Sequence, residues 1–331
     1  MSTFLKKIVL FLALCILLSA LIVGGYAFKY HVSFKDFPSP PLSDSYSLNE
    51  KIEFLRTSKK DATTLAIGSS IALNNLHSET VANRIHSKFL NTSSWGMNMV
   101  DNYTLLKTLN RTYRYTNTVI IASSISEFEL PAKKVEYDKV EKYLVAGNAA
   151  ANMYHLTCFN LRYYMDNTKY KKLVTEQKNQ YEYLVFDQYG GVNIDDTDFK
   201  IDERRWNASF DKARIIENNY DYVDSISAFC KAKNIRLIFF QSPFREGIYE
   251  NLGAEKSKQL QDHINRIAAI LKRNDHVFID ADKKSWKDSF FIDGEHLSAT
   301  GAEAFTAYCF DQLDSLHLPP PYESSSGNFD E

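Results

Sequence analysis

The sequence lacks an excess of basic residues, paired cysteines and internal repeats. Its 39 Lys and Arg face 41 Asp and Glu, which gives a formal net charge of -2. Nucleic-acid binding needs clustered positive charge, so this balance argues against a nucleic-acid partner. The four cysteines are far apart and form no CxxC pair; they are Cys15, Cys158, Cys230 and Cys309. Neither a zinc site nor a disulfide framework is therefore predicted.

One long apolar run lies near the N-terminus. Residues 8–28 contain no charged side chain, and a helix of this length reaches about 31 Å, enough to cross a hydrocarbon core of roughly 30 Å. Lys6 and Lys7 precede the run, and only Lys29 follows closely. The positive-inside rule then predicts residues 1–7 in the cytoplasm and an exported body. A cleaved signal peptide is the alternative, but its apolar region is normally about 7 to 15 residues long.

Proline-rich and polar segments flank the body of the chain. The segment Phe37-Pro-Ser-Pro-Pro-Leu42 cannot continue a helix, so a stiff spacer is expected within residues 29–47. Prolines 319–321 and the polar residues after them predict an unstructured tail over residues 318–331. One folded domain is therefore expected at residues 48–317.

Short apolar runs alternate with helical patterns in this body, which is typical of a parallel sheet covered by helices. Strands are predicted at residues 63–67, 89–93, 118–123, 235–240 and 277–280. Thr300 and Glu303 fit a capping box that starts a last helix, which runs to about Leu316. The predicted fold is an α/β three-layer sandwich around a mostly parallel five-stranded sheet.

The alternation is interrupted at about residues 129–210, which are rich in Tyr, Lys and Asn. This stretch is too long for a structureless loop in a compact domain, so an insertion is predicted. A helical stretch at 154–164 and a turn at Tyr189-Gly-Gly-Val192 are expected within it. Such insertions often build a wall of the binding site, and a subdomain for oligomerisation is an equal alternative.

A serine follows the first predicted strand, in the sequence Gly68-Ser69-Ser70. A serine at a strand-to-helix turn lies at the carboxyl edge of the sheet, near amides that stabilise a developing oxyanion. Gly68 permits the tight turn. Gly-Ser-Ser is also a common loop tripeptide, so the motif by itself supports a nucleophile only weakly.

Asp293 and His296 lie just before the last predicted helix. A serine nucleophile needs a base, and an imidazole whose tautomer is fixed by a carboxylate supplies one. Asp293 is three residues before His296 and reaches it across one turn. The alternative for an isolated pair of this kind is a capping histidine beside a solvated carboxylate. Glu295 is expected to point elsewhere and to take no part.

The two elements together resemble the SGNH or GDSL hydrolase superfamily, over residues 63–316 without the insertion. The resemblance implies that Ser70, not Ser69, is the nucleophile and that Asp293 and His296 activate it. It also implies chemistry without a metal or an organic cofactor.

The resemblance further implies an oxyanion hole formed by the backbone amides of Ser70 and Gly96. The family's third block, Gly-x-Asn-Asp, is missing here, because the third strand runs into Ala-Ser-Ser-Ile-Ser-Glu at residues 122–127. Ser124, Ser126 or Asn98 is expected to donate in place of its Asn. Loss of one such donor typically costs about a hundredfold or more in rate.

The Gly-Ser-Ser variant with an N-terminal anchor resembles a narrower group, the DltD-like D-alanylation proteins and the tethered proteins that O-acetylate polysaccharides. This implies a bacterial protein of the cytoplasmic membrane, with its catalytic domain periplasmic or extracellular. The resemblance implies that a membrane-embedded O-acyltransferase supplies acyl groups, expected to be acetyl, to Ser70 and that a cell-envelope polysaccharide accepts them. An esterase of the same substrates and a catalytically silent glycan-binding or scaffold protein are the alternatives.

Two further polar residues follow the fourth predicted strand at the same sheet edge. Ser242 and Arg245 are expected there as substrate-binding residues. Arg245 suits an anionic glycan, and a surface arginine without a substrate contact is the alternative.

Overall fold

The computed structural model describes residues 3–33, 36–85, 87–176, 182–195, 201 and 203–317. The tail predicted at residues 318–331 lies outside the described residues. The first helix, α1 (Thr3–Tyr30), has a mean hydropathy of 2.9 over its most apolar stretch. It is long and apolar enough to span a membrane, as the apolar run at residues 8–28 predicts.

Five parallel strands form one sheet in the order β2-β1-β3-β4-β5. The strands are β1 (Thr64–Ile67), β2 (Phe89–Asn91), β3 (Thr118–Ser123), β4 (Arg236–Gln241) and β5 (Val277–Asp280). The predicted five-stranded parallel sheet is therefore confirmed, and its carboxyl ends share one edge. The second strand stops at Asn91, two residues before its predicted end, because the amide of Ser93 donates to the Asn91 side chain at 3.0 Å.

Helices fill the connections and bury the sheet. They are α2 (Tyr46–Thr57), α3 (Ser70–Asn75), α4 (Ser78–Ile85), α5 (Met99–Thr112), α6 (Tyr137–Leu144), α7 (Asn148–Thr157), α8 (Leu161–Glu176), α9 (Glu203–Trp206), α10 (Asn218–Ala232), α11 (Glu246–Asn251), α12 (Gly253–Lys272) and α13 (Ala299–Ser315). Alternate residues of β3 enter two apolar clusters. Ile120 and Ala122 pack with α3, α4 and α13, whereas Val119 and Ile121 pack with α5, α10 and α12. Both sets of strand side chains are buried, as continuous apolar strands require.

Two helix boundaries differ from the sequence prediction. The helical stretch expected at 154–164 is split between α7 and α8, because the Asn160 side chain accepts the amide of Tyr163 at 3.0 Å and starts a new helix. The prediction that Thr300 and Glu303 form a capping box at the start of the last helix is wrong. Ser298 caps α13 instead, since its hydroxyl accepts the amide of Gly301 at 3.2 Å.

The end of α1 packs against the insertion. The Tyr26 ring meets Phe37 at 5.0 Å and Tyr164 of α8 at 5.7 Å between ring centroids, both edge to face. Its hydroxyl bonds Thr168. Phe37 and Leu42 are buried, so the proline-rich segment expected as a spacer packs on the domain. These contacts place the insertion beside the end of the apolar helix.

A buried lysine ties another part of the insertion to the sheet. The ammonium of Lys51 donates to the carbonyl of Asn91 at 3.1 Å and to that of Gly190. Gly190 belongs to the expected turn and has a φ of 91°, which a side chain would strain. Burial lowers the pKa of Lys51 to about 7. This turn is therefore fixed at the carboxyl end of β2.

Gly68 directly follows β1, at the point where β1, α3 and β3 meet. It has a φ of 154°, and a Cβ atom there would lie 2.4 Å from the Ala72 Cβ and 3.1 Å from the Ala122 carbonyl oxygen. No side chain fits this gap without moving α3 or β3.

We expect Gly68→Ala to lower the free energy of unfolding by about 1–3 kcal/mol, because the added methyl overpacks the core. Urea unfolding of the full chain in detergent, followed by Trp fluorescence, measures the loss. Gly147→Ala is the matched control, since a Cβ at Gly147 meets nothing within 4 Å. Equal stability losses in the two variants would contradict this account of Gly68.

Candidate active site

Ser70 lies at the carboxyl edge of the sheet. It is the first residue of α3, three positions after the end of β1, and its side chain is half-buried. Ser69 before it is fully buried. Of the two serines, Ser70 is thus the one that reaches the surface of the site.

Ser70, His296 and Asp293 form one chain of hydrogen bonds. Ser70 Oγ lies 2.9 Å from His296 Nε2, and His296 Nδ1 lies 2.8 Å from Asp293 Oδ2. The other Asp293 oxygen accepts the backbone amides of Glu295 at 2.8 Å and His296 at 2.7 Å. Nδ1 thus faces the carboxylate and Nε2 faces the hydroxyl. This is the order that transfer of the serine proton to an imidazole requires.

Asn75, which the sequence did not single out, joins the two halves of the site. This fully buried residue ends α3, the helix that Ser70 begins. Its side-chain oxygen accepts the amide of Leu297 at 2.9 Å, and its side-chain nitrogen donates to the carbonyl of Glu295 at 2.9 Å. These bonds clamp the loop that holds His296 onto the helix that holds Ser70.

The electrostatics of the site favour a charged imidazole. Burial disfavours the imidazolium of His296, but the charge and hydrogen bond of Asp293, with the charges of Glu295 and Glu127, outweigh it and raise its pKa to about 9. Burial likewise disfavours the Asp293 carboxylate. The His296 charge and three hydrogen bonds nevertheless hold the pKa of Asp293 below its ordinary value.

Glu295 takes part in the site, contrary to the expectation from the sequence. Its carboxylate accepts the hydroxyl of Ser124 at 2.7 Å and also that of Ser126. Burial of the Glu295 carboxylate raises its pKa, and the charge of Asp293 raises it further. Together these effects outweigh the charge of the nearby His296, which lowers the pKa. A second carboxylate is thus fixed behind the imidazole.

Glu127 is a further carboxylate that the sequence did not single out. It is 3% exposed, and it accepts the amide of Ile71, the residue after Ser70, at 3.3 Å. Burial, with the charge of Glu295, raises the pKa of Glu127 to about 8. Its sequence signal was a charged residue four positions after the end of a continuous apolar strand.

Some of the residues expected in the oxyanion hole lie beside Ser70, whereas others are hydrogen-bonded elsewhere. Gly96, with a φ of 68°, donates its amide to the Ser69 hydroxyl at 3.0 Å and so lies beside the Ser69–Ser70 turn. The Asn98 side chain instead caps α5, accepting from Asp101 and donating to the carbonyl of Leu130, each at 3.0 Å. The hydroxyl of Ser124 donates to Glu295. Of the expected donors, the Gly96 amide thus lies at the Ser69–Ser70 turn, where it is bonded to Ser69, whereas the side chains of Asn98 and Ser124 are bonded elsewhere.

Ser242 and Arg245 are held by internal contacts. Ser242 is fully buried and accepts the side-chain amide of Asn75 at 3.0 Å. Arg245 is 4% exposed and donates to Asp288 at 2.9 Å and to Asn207 at 2.7 Å. With its charge paired in this way, Arg245 ties surrounding loops together.

Ser70 and His296 face a cavity of about 220 Å³. Part of its wall comes from the insertion, through Tyr170 and Ile194. Ser70 and His296 are thus open to a small ligand from this side. An acyl compound bound there would meet the Ser70 hydroxyl.

The pKa of His296 leads to an expected pH dependence. The imidazole must be neutral to take the serine proton, so the rate of Ser70 labelling by a fluorophosphonate should rise with pH to a midpoint above 6.5, the ordinary histidine value. Glu295→Gln removes a negative charge that favours the imidazolium, so the midpoint should move to lower pH.

Labelling rates between about pH 5 and pH 10 measure both midpoints. Glu303→Gln is the control, because Glu303 is exposed on α13. A midpoint that Glu295→Gln leaves unchanged would refute the electrostatic role of Glu295.

No protein-family model matches this chain, and no curated protein is significantly similar to it. Any functional assignment therefore depends on the fold and on the geometry of Ser70, His296 and Asp293.

Proposed function

We propose that the protein is a membrane-anchored, serine-dependent O-acyltransferase of the SGNH type. One observation carries this proposal. Ser70, His296 and Asp293 are connected by hydrogen bonds of 2.9 and 2.8 Å, with the serine facing a cavity. Such a chain activates a serine hydroxyl as a nucleophile.

In the proposed reaction, Ser70 Oγ attacks the carbonyl carbon of an acyl donor while His296 Nε2 takes its proton. Asp293 stabilises the imidazolium. The tetrahedral intermediate collapses, the leaving group takes the proton from His296, and an acyl ester forms on Ser70. An acceptor hydroxyl then gives its proton to His296 and attacks the ester, which restores Ser70.

We assign the backbone amides of Ser70 and Gly96 to the developing oxyanion. The Gly96 amide lies 3.0 Å from the Ser69 hydroxyl, next to the nucleophile in the chain. Amides aimed at this negative charge stabilise the transition state more than the ground state. Without the family's Asn, the hole depends on backbone donors, which predicts slow chemistry whether a sugar or water accepts the acyl group.

The three-layer SGNH fold is part of the proposal. It is supported by the all-parallel sheet, by apolar clusters that join helices to alternate strand residues, and by the placement of the nucleophile. Ser70 follows the first strand, and Asp293 and His296 precede the last helix.

The proposed setting is the outer face of the cytoplasmic membrane of a bacterium. The apolar α1 supports anchoring, and the lysines before it favour an exported domain. A membrane-embedded O-acyltransferase would supply the acyl group, and a cell-envelope or extracellular polysaccharide would accept it. No metal or organic cofactor enters the reaction. The packing of Tyr26 against α8 supports a domain held next to the bilayer.

The first experiment tests whether Ser70 is a nucleophile at all. Full-length protein in detergent is incubated with p-nitrophenyl acetate, and chromophore release is followed. We expect Ser70→Ala to slow release on the order of a thousandfold. Ser285→Ala, at an exposed serine, should behave like the wild type. Equal rates for Ser70→Ala and wild type would favour a silent glycan-binding or scaffold protein.

The products separate a transferase from an esterase that uses the same residues. With an oligosaccharide present, the transferase should place acetyl groups on sugar hydroxyls, which mass spectrometry detects. An esterase should release only free acetate. That second result would sustain Ser70 as the nucleophile and replace the sugar acceptor with water.

A further inference from the structure

The cavity beside Ser70 has a lining built from four parts of the chain, one of which is the loop that holds His296. Asn74 belongs to α3 and Trp95 follows β2, while the insertion contributes Tyr170, Glu182 and Ile194. The insertion thus forms much of the cavity wall. The residues that form the hydrogen bonds between Ser70, His296 and Asp293 lie outside it.

We propose that this cavity binds a sugar ring that carries no negative charge, either neutral or with an amino group. The inference rests on the proposed function, because it names the acceptor of that acyl transfer. The sugar hydroxyl to be acylated would lie next to Ser70 and His296.

The aromatic side chains suit the flat C–H faces of a pyranose ring. Trp95 and Tyr170 are both half-buried, so each presents part of its ring to the cavity. Tyr170 is held by Tyr46, whose ring packs edge to face at 5.2 Å between centroids. Aromatic rings supply large contact area at a low cost in side-chain entropy. A volume of about 220 Å³ suits one small ring rather than a long acyl chain.

The charge of the lining sets the class of sugar. Glu182 is the one carboxylate in the described lining, and no Lys or Arg is found among these described residues. Burial, with the charge and hydrogen bond of Glu182, raises the pKa of the Tyr170 hydroxyl to about 12. Hydroxyl or ammonium groups of a sugar can donate to this carboxylate, whereas a uronate would be repelled by it.

The other basic groups near the site do not reverse this preference. Arg245 pairs with Asp288 and is buried. Lys133 lies against Gly96, outside the described lining of the cavity. His296 also lines the cavity, but the charge of its imidazolium is paired with Asp293, which lies 2.8 Å from Nδ1, and Glu295 adds a further carboxylate. An anionic sugar therefore meets carboxylates and lacks a guanidinium or ammonium partner in the described lining.

Direct binding tests the inference without acyl chemistry. Full-length Ser70→Ala protein in detergent is titrated with methyl glycosides of glucose, glucosamine and glucuronic acid, and with the same three in the galactose series. Trp fluorescence reports binding, since Trp286 is fully buried and Trp206 is covered by Arg245 at 4.4 Å. Trp95→Phe should abolish the signal.

We expect neutral and amino glycosides of at least one series to bind about tenfold more tightly than the matching uronide. Glu182→Gln should bring the uronide to within about threefold of the neutral glycoside. Glu303→Gln, which removes an exposed carboxylate on α13, should keep the wild-type preference.

Binding of no glycoside, or binding of the uronide as tightly as the neutral sugar, overturns the inference. The proposed function fails separately. It is lost if p-nitrophenyl acetate turnover does not depend on Ser70, whatever the glycosides do. Ser70-dependent turnover with uronide binding would leave the acyltransferase intact and defeat only the assignment of the sugar.

Discussion

The hydrogen bonds of Asn75 hold together two segments that lie at opposite ends of the sequence. Ser70 and His296 are 226 positions apart, yet their side-chain atoms lie 2.9 Å from each other. Asn75 fixes this geometry because one buried amide bonds both Glu295 and Leu297 on either side of His296. Proton transfer between serine and imidazole requires hydrogen-bond distance, so the site depends on this clamp.

The helix α8 connects the end of the apolar α1 with the cavity. Tyr164 contacts Tyr26 of the apolar α1, and Tyr170 lines the cavity. Six residues of α-helix separate them by about 9 Å. A cavity so close to the end of α1 agrees with the proposal that an acyl donor is delivered at a membrane surface. The insertion would thus position the domain and also shape its binding site.

The sequence was sufficient to predict features that depend on residues close together in the chain. Continuous apolar runs predicted all five strands, and the spacing of Asp293 and His296 predicted their contact, which their hydrogen bond shows. Roles that depend on long-range packing were not predictable. Asn75 meets residues more than 200 positions away. Glu295 was expected to point elsewhere and to take no part, and its partner Ser124 lies 171 positions away, just after β3.

Arg245 and the proline-rich segment illustrate the same limit. Arg245 was expected at the substrate, since residues after a strand end often are, but Asp288 and Asn207 surround its guanidinium. The segment at residues 37–42 has the composition of a spacer, and its burial depends on an aromatic cluster formed with Tyr26 and Tyr164. Composition alone does not reveal such partners.

The central claim is that Ser70 becomes acylated with the help of His296. The most direct measurement is peptide mass spectrometry of the full-length protein, quenched in acid shortly after addition of p-nitrophenyl acetate. The account predicts one acetyl group, on Ser70, which is lost in Ser70→Ala and strongly reduced in His296→Ala. Acetylation confined to other residues, or a Ser70 ester that forms equally fast without His296, would contradict it.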